Sequence, residues 1–140
     1  MLLSKRHVEP RVLLIEDAEE TRELSRMALE SQACHVAGVS SAEAALGLLA
    51  AGERFDLLFT DVNLGRVSGI EAANHVRSLY PDLPILVTSG MDQHAVLPQL
   101  HHGIHFLPKP YNMSELLDAI RLCFRHADVG VLTGADARAA

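Results

Sequence analysis

Four short apolar runs in this chain end on residues able to bind a cation, attack phosphorus or donate to an anion. Residues 12–15 run into Glu16-Asp17, residues 55–60 into Asp61, and residues 85–87 into Thr88-Ser89; Lys109 follows the run 104–107 after one proline. Carboxylates gathered without a partner repel one another and raise at least one pKa, so a site that collects Glu16, Asp17 and Asp61 calls for a cation. Oxygen ligands favour a hard one, magnesium or in its place manganese. Magnesium takes one or two carboxylates and fills its shell with waters and phosphate oxygens. Asp17 and Asp61 match that habit, with Glu16 as a direct or water-mediated ligand and a backbone carbonyl near Asn63. Phosphoryl transfer needs an in-line nucleophile and neutralised equatorial oxygens more than it needs acid-base catalysis. Asp61 supplies the nucleophile, Lys109 a mobile positive charge and the Ser89 hydroxyl a hydrogen bond.

These residues converge only if the elements behind them are aligned. The run 12–15 reads as a strand buried on both faces, followed by a helix over 18–32 with Glu19 and Glu20 in its first turn and Leu24, Met27 and Ala28 at helical spacing. The unit then repeats. A strand at 34–39 precedes a helix to about residue 51, opened by Ser40 with Glu43 as a capping box. A third strand over 55–60 ends at Asp61, and a loop through Gly65 and Ser68-Gly69 leads to a helix over 70–79, stopped by Pro81 and Pro84. The fourth strand is 85–88. The helix from Asp92 contains Pro98 and is expected to be short, kinked or displaced. The fifth strand precedes Lys109-Pro110, and Asn112 with Glu115 opens a last helix whose Leu116, Leu117, Ile120 and Cys123 form an apolar stripe to about His126. Strands alternating with helices imply a doubly wound, five-stranded parallel α/β sheet, which gathers ligands at the carboxyl ends of its strands.

The totals bound the function. With 140 residues and 49% hydrophobic content, one domain is expected, from 11 to 126, between an N-terminal arm (1–10) and a flexible tail (127–140). The 18 acidic against 12 basic residues argue against direct nucleic-acid or membrane-surface binding. Cys34 and Cys123 suggest neither a disulfide framework nor a zinc site. The absence of a ~20-residue apolar run or a signal peptide points to the cytoplasm. His94, His101, His102 and His105 match no standard metal spacing and read as solvated or partner-facing.

In this order, at strand ends, the residues resemble the receiver domain of response regulators over roughly residues 10–126. Glu16-Asp17 looks like that family's metal-binding pair, and Phe59-Thr60-Asp61 followed by Gly69 like its phosphoacceptor loop. Thr88-Ser89-Gly90 looks like its hydroxyl switch, with Ser89 better placed than Thr88 by its spacing from Pro84. Lys109-Pro110 looks like its lysine and cis proline, and Phe106 stands at its switch aromatic. The resemblance implies a flavodoxin-like (βα)5 fold, a histidine kinase or histidine phosphotransfer protein as donor to Asp61, and output to a protein partner or onward phosphorelay; a homodimer through exposed faces of the last two helices is left open. It also implies a signalling module rather than an enzyme, with self-phosphorylation and dephosphorylation as its only chemistry. Two positions depart from the pattern: Glu16 where the pair is commonly Asp, and Gly65 where the loop commonly carries Pro. Competing readings are a receiver-like scaffold that works unphosphorylated, a magnesium-dependent phosphohydrolase and a flavodoxin-like cofactor binder. The phosphohydrolase lacks its second acid, since Asn63 stands there. A flavin phosphate would meet Glu16-Asp17-Ala18-Glu19-Glu20 instead of a neutral cradle.

Overall fold

The computed structural model describes residues 9–64 and 67–131. Along the chain run β1 (Arg11–Ile15), α1 (Glu19–Glu30), β2 (His35–Val39), α2 (Ala42–Ala50), β3 (Leu57–Asp61), β4 (Asn63–Leu64), β5 (Val67–Ser68), α3 (Gly69–Leu79), β6 (Ile85–Ser89), α4 (Gln93–Val96), β7 (His105–Pro108) and α5 (Met113–Val131). The expected doubly wound α/β sheet is present: five strands, all parallel, in the order β2-β1-β3-β6-β7. Side chains alternate across the pleat, so each central strand feeds two cores. Leu13, Ile15, Leu58, Ile85 and Val87 pack with Ala45 and Leu49 of α2 and with Ala73 and Val76 of α3. On the other face Val12, Leu14, Leu57, Phe59 and Leu86 meet Leu29 of α1 and Leu116, Leu117 and Ile120 of α5.

Several elements differ from the sequence expectation, each for a local reason. The cap of α2 is Ser41, whose hydroxyl accepts from the Ala44 N–H at 3.1 Å. Ser40 lies outside the helix, and Glu43 sits in its first turn, where it favours the helix dipole without closing the expected box. Strand β3 starts two residues later than expected, because Asp56 turns its carboxylate back to accept the Arg11 N–H at 2.7 Å. The stretch after Asp61 is a small antiparallel ribbon, β4 with β5, where a plain loop was expected; Gly65 lies outside the described residues. Pro98 falls in a 3-10 turn, Leu97–Gln99, and α4 stops at four residues, in line with a proline lacking the ladder N–H.

The α5 capping box forms in both directions: the Asn112 N–H donates to Glu115 Oε1 at 2.9 Å, and the Glu115 N–H to Asn112 Oδ1 at 2.8 Å. The helix itself continues to Val131, past the end expected near His126. Most of the expected arm (residues 1–8) and residues 132–140 of the expected tail lie outside the described residues. In α1 the expected apolar stripe is on the wrong side: Leu24 and Met27 are 66% and 59% exposed, and Leu29 is the residue that is buried.

Both thiols lie in or beside the α1/α5 core, Cys34 at 4% and Cys123 at 1% exposure. Burial pushes their pKa up, to about 11 for Cys34 and about 12 for Cys123. Neither is a thiolate at neutral pH, and both are shielded. We expect a disulfide reagent at pH 8 to leave both unmodified in the native protein and to titrate both in denaturant; fast reaction of either without denaturant would show that this core is not packed as described.

Candidate phosphoacceptor site

Because β1, β3 and β6 run parallel, their last residues emerge on one edge of the sheet. Asp61 stands opposite Thr88 in register, one rung from the Ile15–Thr60 pair. The hydrogen-bond ladder continues beyond the strands: the Val62 N–H donates to Thr88 O at 2.9 Å, and the Lys109 N–H to Ser89 O at 2.8 Å. Glu16, Asp17, Asp61, Asn63, Ser89 and Lys109 thereby line one open cleft of about 740 Å³.

The cleft centres on Asp61. Its Oδ2 takes a charged hydrogen bond from Lys109 Nζ, and its Oδ1 accepts the Asn63 N–H at 2.8 Å. Burial alone would lower the Lys109 pKa, but the hydrogen bond and charge of Asp61 outweigh it and hold the ammonium above its ordinary value. Glu16 moves the same way for a different reason. Burial pushes its carboxyl up, and Asp17 and Asp61 push it further, against a partial offset from the Ala18 N–H, which donates to Oε2 at 3.0 Å. Excess negative charge of this kind suits a small hard cation. Among the described residues no three His, Cys, Asp or Glu side chains close a metal cage. The donor set therefore fits an ion that keeps waters and takes one or two carboxylates, which is magnesium's habit.

Thr88 and Ser89 separate cleanly. The Thr88 hydroxyl donates to Leu107 O at 2.8 Å inside the fold, whereas the Ser89 side chain lines the cleft, its Oγ accepting the Met91 N–H at 2.9 Å. Phe106 does not line the cleft; it is half-buried against the core beneath α2 and α3. The Lys109–Pro110 peptide bond is cis. Gly69 closes the ribbon so tightly that a Cβ there would lie 1.9 Å from the Asp61 carbonyl oxygen. Two neighbours went unnoticed in the sequence. Tyr111 is half-buried next to Lys109, its hydroxyl pKa raised by burial. Arg22 donates from Nη1 to the Glu16 carbonyl at 2.8 Å. The signal for Arg22 was a polar residue at helical spacing from Leu29, masked by the apolar residues between them.

A family model described as the response regulator receiver domain matches residues 12–121. The chain is 35% identical over 128 residues to the response regulator protein FleR of Pseudomonas aeruginosa, an alignment covering 90% of this chain and 26% of that one. It is 33% identical over 117 residues to the response regulator MprA of Mycolicibacterium vanbaalenii, covering 82% and 50%. It therefore spans between a quarter and a half of the length of these curated relatives. Among solved structures, the signal receiver domain of an HD domain-containing protein from Pseudomonas fluorescens superposes with a TM-score of 0.77 at 22% identity, covering 86% of this chain and 98% of that one. A response regulator receiver domain from Clostridium thermocellum gives 0.75 at 20%, with the same coverage. At such identities the likeness establishes the fold.

Two outcomes follow from the geometry. Gly69→Ala should destabilise the chain by about 2–4 kcal/mol, because all three contact atoms belong to the backbone of Asp61 and Val62; unchanged denaturant unfolding would contradict the close approach. Glu16 holds its proton more tightly folded than unfolded, so its contribution to stability is present at low pH and is lost as pH rises through the raised folded pKa, above 4.5. Glu16→Gln should therefore raise the metal-free melting temperature at pH 7 and flatten the loss of stability as pH rises above the ordinary glutamate range. A lower melting temperature at pH 7 would refute the assignment.

Proposed function

This chain belongs to the response regulator receiver domain family, and we propose that it accepts a phosphoryl group on Asp61 from a phosphorylated histidine of a kinase or phosphotransfer protein. The observation that carries this reading is the Lys109 ammonium on Asp61 Oδ2, inside a cleft shared with Glu16 and Asp17. Asp17 and Asp61, with Glu16 directly or through water and a carbonyl near Asn63, would hold a magnesium or manganese ion, which would supply charge neutralisation for the phosphoryl oxygens. An Asp61 carboxylate oxygen forms the new P–O bond as the donor's P–N bond breaks, the electron pair leaving with the imidazole nitrogen. Lys109 then moves from the carboxylate it holds to a phosphoryl oxygen, and the Ser89 hydroxyl donates to another. Ser89 and Phe106, on adjacent strands, then move together as the switch. A phosphoryl group that binds one of two existing conformers more tightly shifts the population toward that conformer.

Output is by protein contact or onward transfer from Asp61, in the cytoplasm, with a second copy of the chain as one candidate partner. Incubation with a divalent ion and acetyl phosphate, followed by intact mass, tests the reading. A phosphoryl-sized gain is expected, absent from Asp61→Asn and from the metal-free sample, and slowed about a hundredfold in Lys109→Ala. No gain in the wild-type chain, with no magnesium binding, would leave a scaffold that works unphosphorylated.

A further inference from the structure

Helix α1 lies on the sheet with a charged residue on its inner side. Leu24 and Met27 face solvent, while Arg22, Ser25 and Leu29, three and four residues apart, are half-buried or buried against the sheet. A leucine at position 22 would bury more apolar surface, and an arginine facing inward needs a partner. That partner is main chain: Nη1 donates to the Glu16 carbonyl oxygen at 2.8 Å, at the junction between β1 and α1. The aliphatic stem reaches it by crossing Gly38 of β2. Its Cγ and Cδ lie 3.2 and 3.3 Å from where a Cβ on residue 38 would stand, so a side chain there would press on the stem by a few tenths of an ångström. The remaining holds on Glu16 are its N–H, which donates to Val39 O at 3.0 Å, and its Oε2, which accepts from Ala18.

The peptide between Glu16 and Asp17 carries both acidic side chains of the pair, and its carbonyl is the part that Arg22 holds. If that peptide rotates, the Asp17 side chain turns with it. We propose that Arg22 is a positioning residue that sets the direction in which Glu16 and Asp17 enter the cleft, and that Gly38 is kept without a side chain to give Arg22 its path. Arg22 contacts neither carboxylate, so it acts on geometry through the backbone. The inference deepens the reading of the cleft as a cation-dependent phosphoacceptor site and rests on it. Removing a group that orients a metal ligand typically weakens metal binding by about 10–100-fold, whereas loss of a merely structural contact lowers stability and leaves the affinity of the folded fraction unchanged.

The test is magnesium titration calorimetry on the full chain as wild type, Arg22→Ala, Arg22→Lys and Gly38→Val, with metal-free melting temperatures alongside and acetyl phosphate labelling rates across magnesium concentration. Arg22→Ala should weaken magnesium binding about tenfold and shift the labelling curve to higher magnesium by the same factor, with the rate at saturation unchanged. Arg22→Lys should recover part of the affinity, since an ammonium also donates to a carbonyl. Gly38→Val keeps Arg22 but obstructs its stem on a strand that tolerates valine, and should also weaken binding. Wild-type affinity in Arg22→Ala, or, should that variant not fold, in Gly38→Val, overturns the inference while the site reading stands. Absence of magnesium binding in the wild type overturns both, and labelling without any metal dependence does the same.

Discussion

Three carboxylates and one ammonium at the rim of a parallel sheet form the constraint around which this molecule is organised. A parallel sheet sends every strand end to the same edge, so acidic residues that end β1 and β3 have no means of avoiding one another. Lys109 relieves Asp61 directly, while Glu16 holds its proton more tightly, through burial first and the neighbouring carboxylates second. The strain at the rim is offset by the sheet below it, where Val12, Leu13, Ile15, Leu57, Leu58, Ile85, Leu86 and Val87 are fully shielded from water. A rim of crowded carboxylates is thus mounted on the most deeply buried strands of the described chain.

Precision at the rim comes from main chain. The rungs from Val62 to Thr88 and from Lys109 to Ser89 carry the ladder past the strands, and the ribbon β4/β5 folds back until Gly69 touches the Asp61 carbonyl. The far side of the site is built more loosely. Helix α4 has a single turn, its continuation is limited by Pro98, and the segment beyond is tied to α3 by Asn74, which donates to Gln99 O and accepts from the His101 N–H, each at 2.8 Å. Under the proposed function, a rigid acceptor beside a one-turn helix, anchored by the buried Val96 and a few polar contacts, is a suitable arrangement for a population shift. The energy that moves α4 competes with those contacts and with the burial of Val96 in the core, but leaves the strand ladder intact.

Helix α1 shows how a site reshapes packing at a distance. Two of its three large apolar residues, Leu24 and Met27, point outward, and its inner side carries Arg22 and Ser25 toward the acidic end and Leu29 toward the opposite end. Burial is surrendered near the rim, where the backbone bearing Glu16 and Asp17 needs a donor, and recovered one and two turns away.

Much of this was legible in the chain itself. Apolar runs of strand length ending on Glu16-Asp17, Asp61, Ser89 and Lys109 determine both the parallel sheet and the edge on which the residues meet, because a run buried on both faces admits few other packings. The Asn112/Glu115 cap and the break at Pro98 were equally readable, since each is a contact within one turn of helix. What the tertiary structure decided involves partners outside the element concerned. The late start of β3 depends on Arg11. The inner side of α1 depends on Gly38 and on the Glu16 carbonyl, neither of which leaves a trace in the periodicity of residues 19–30. Periodicity reports the average burial of a face, and a single arginine engaged with main chain across the sheet is invisible to it.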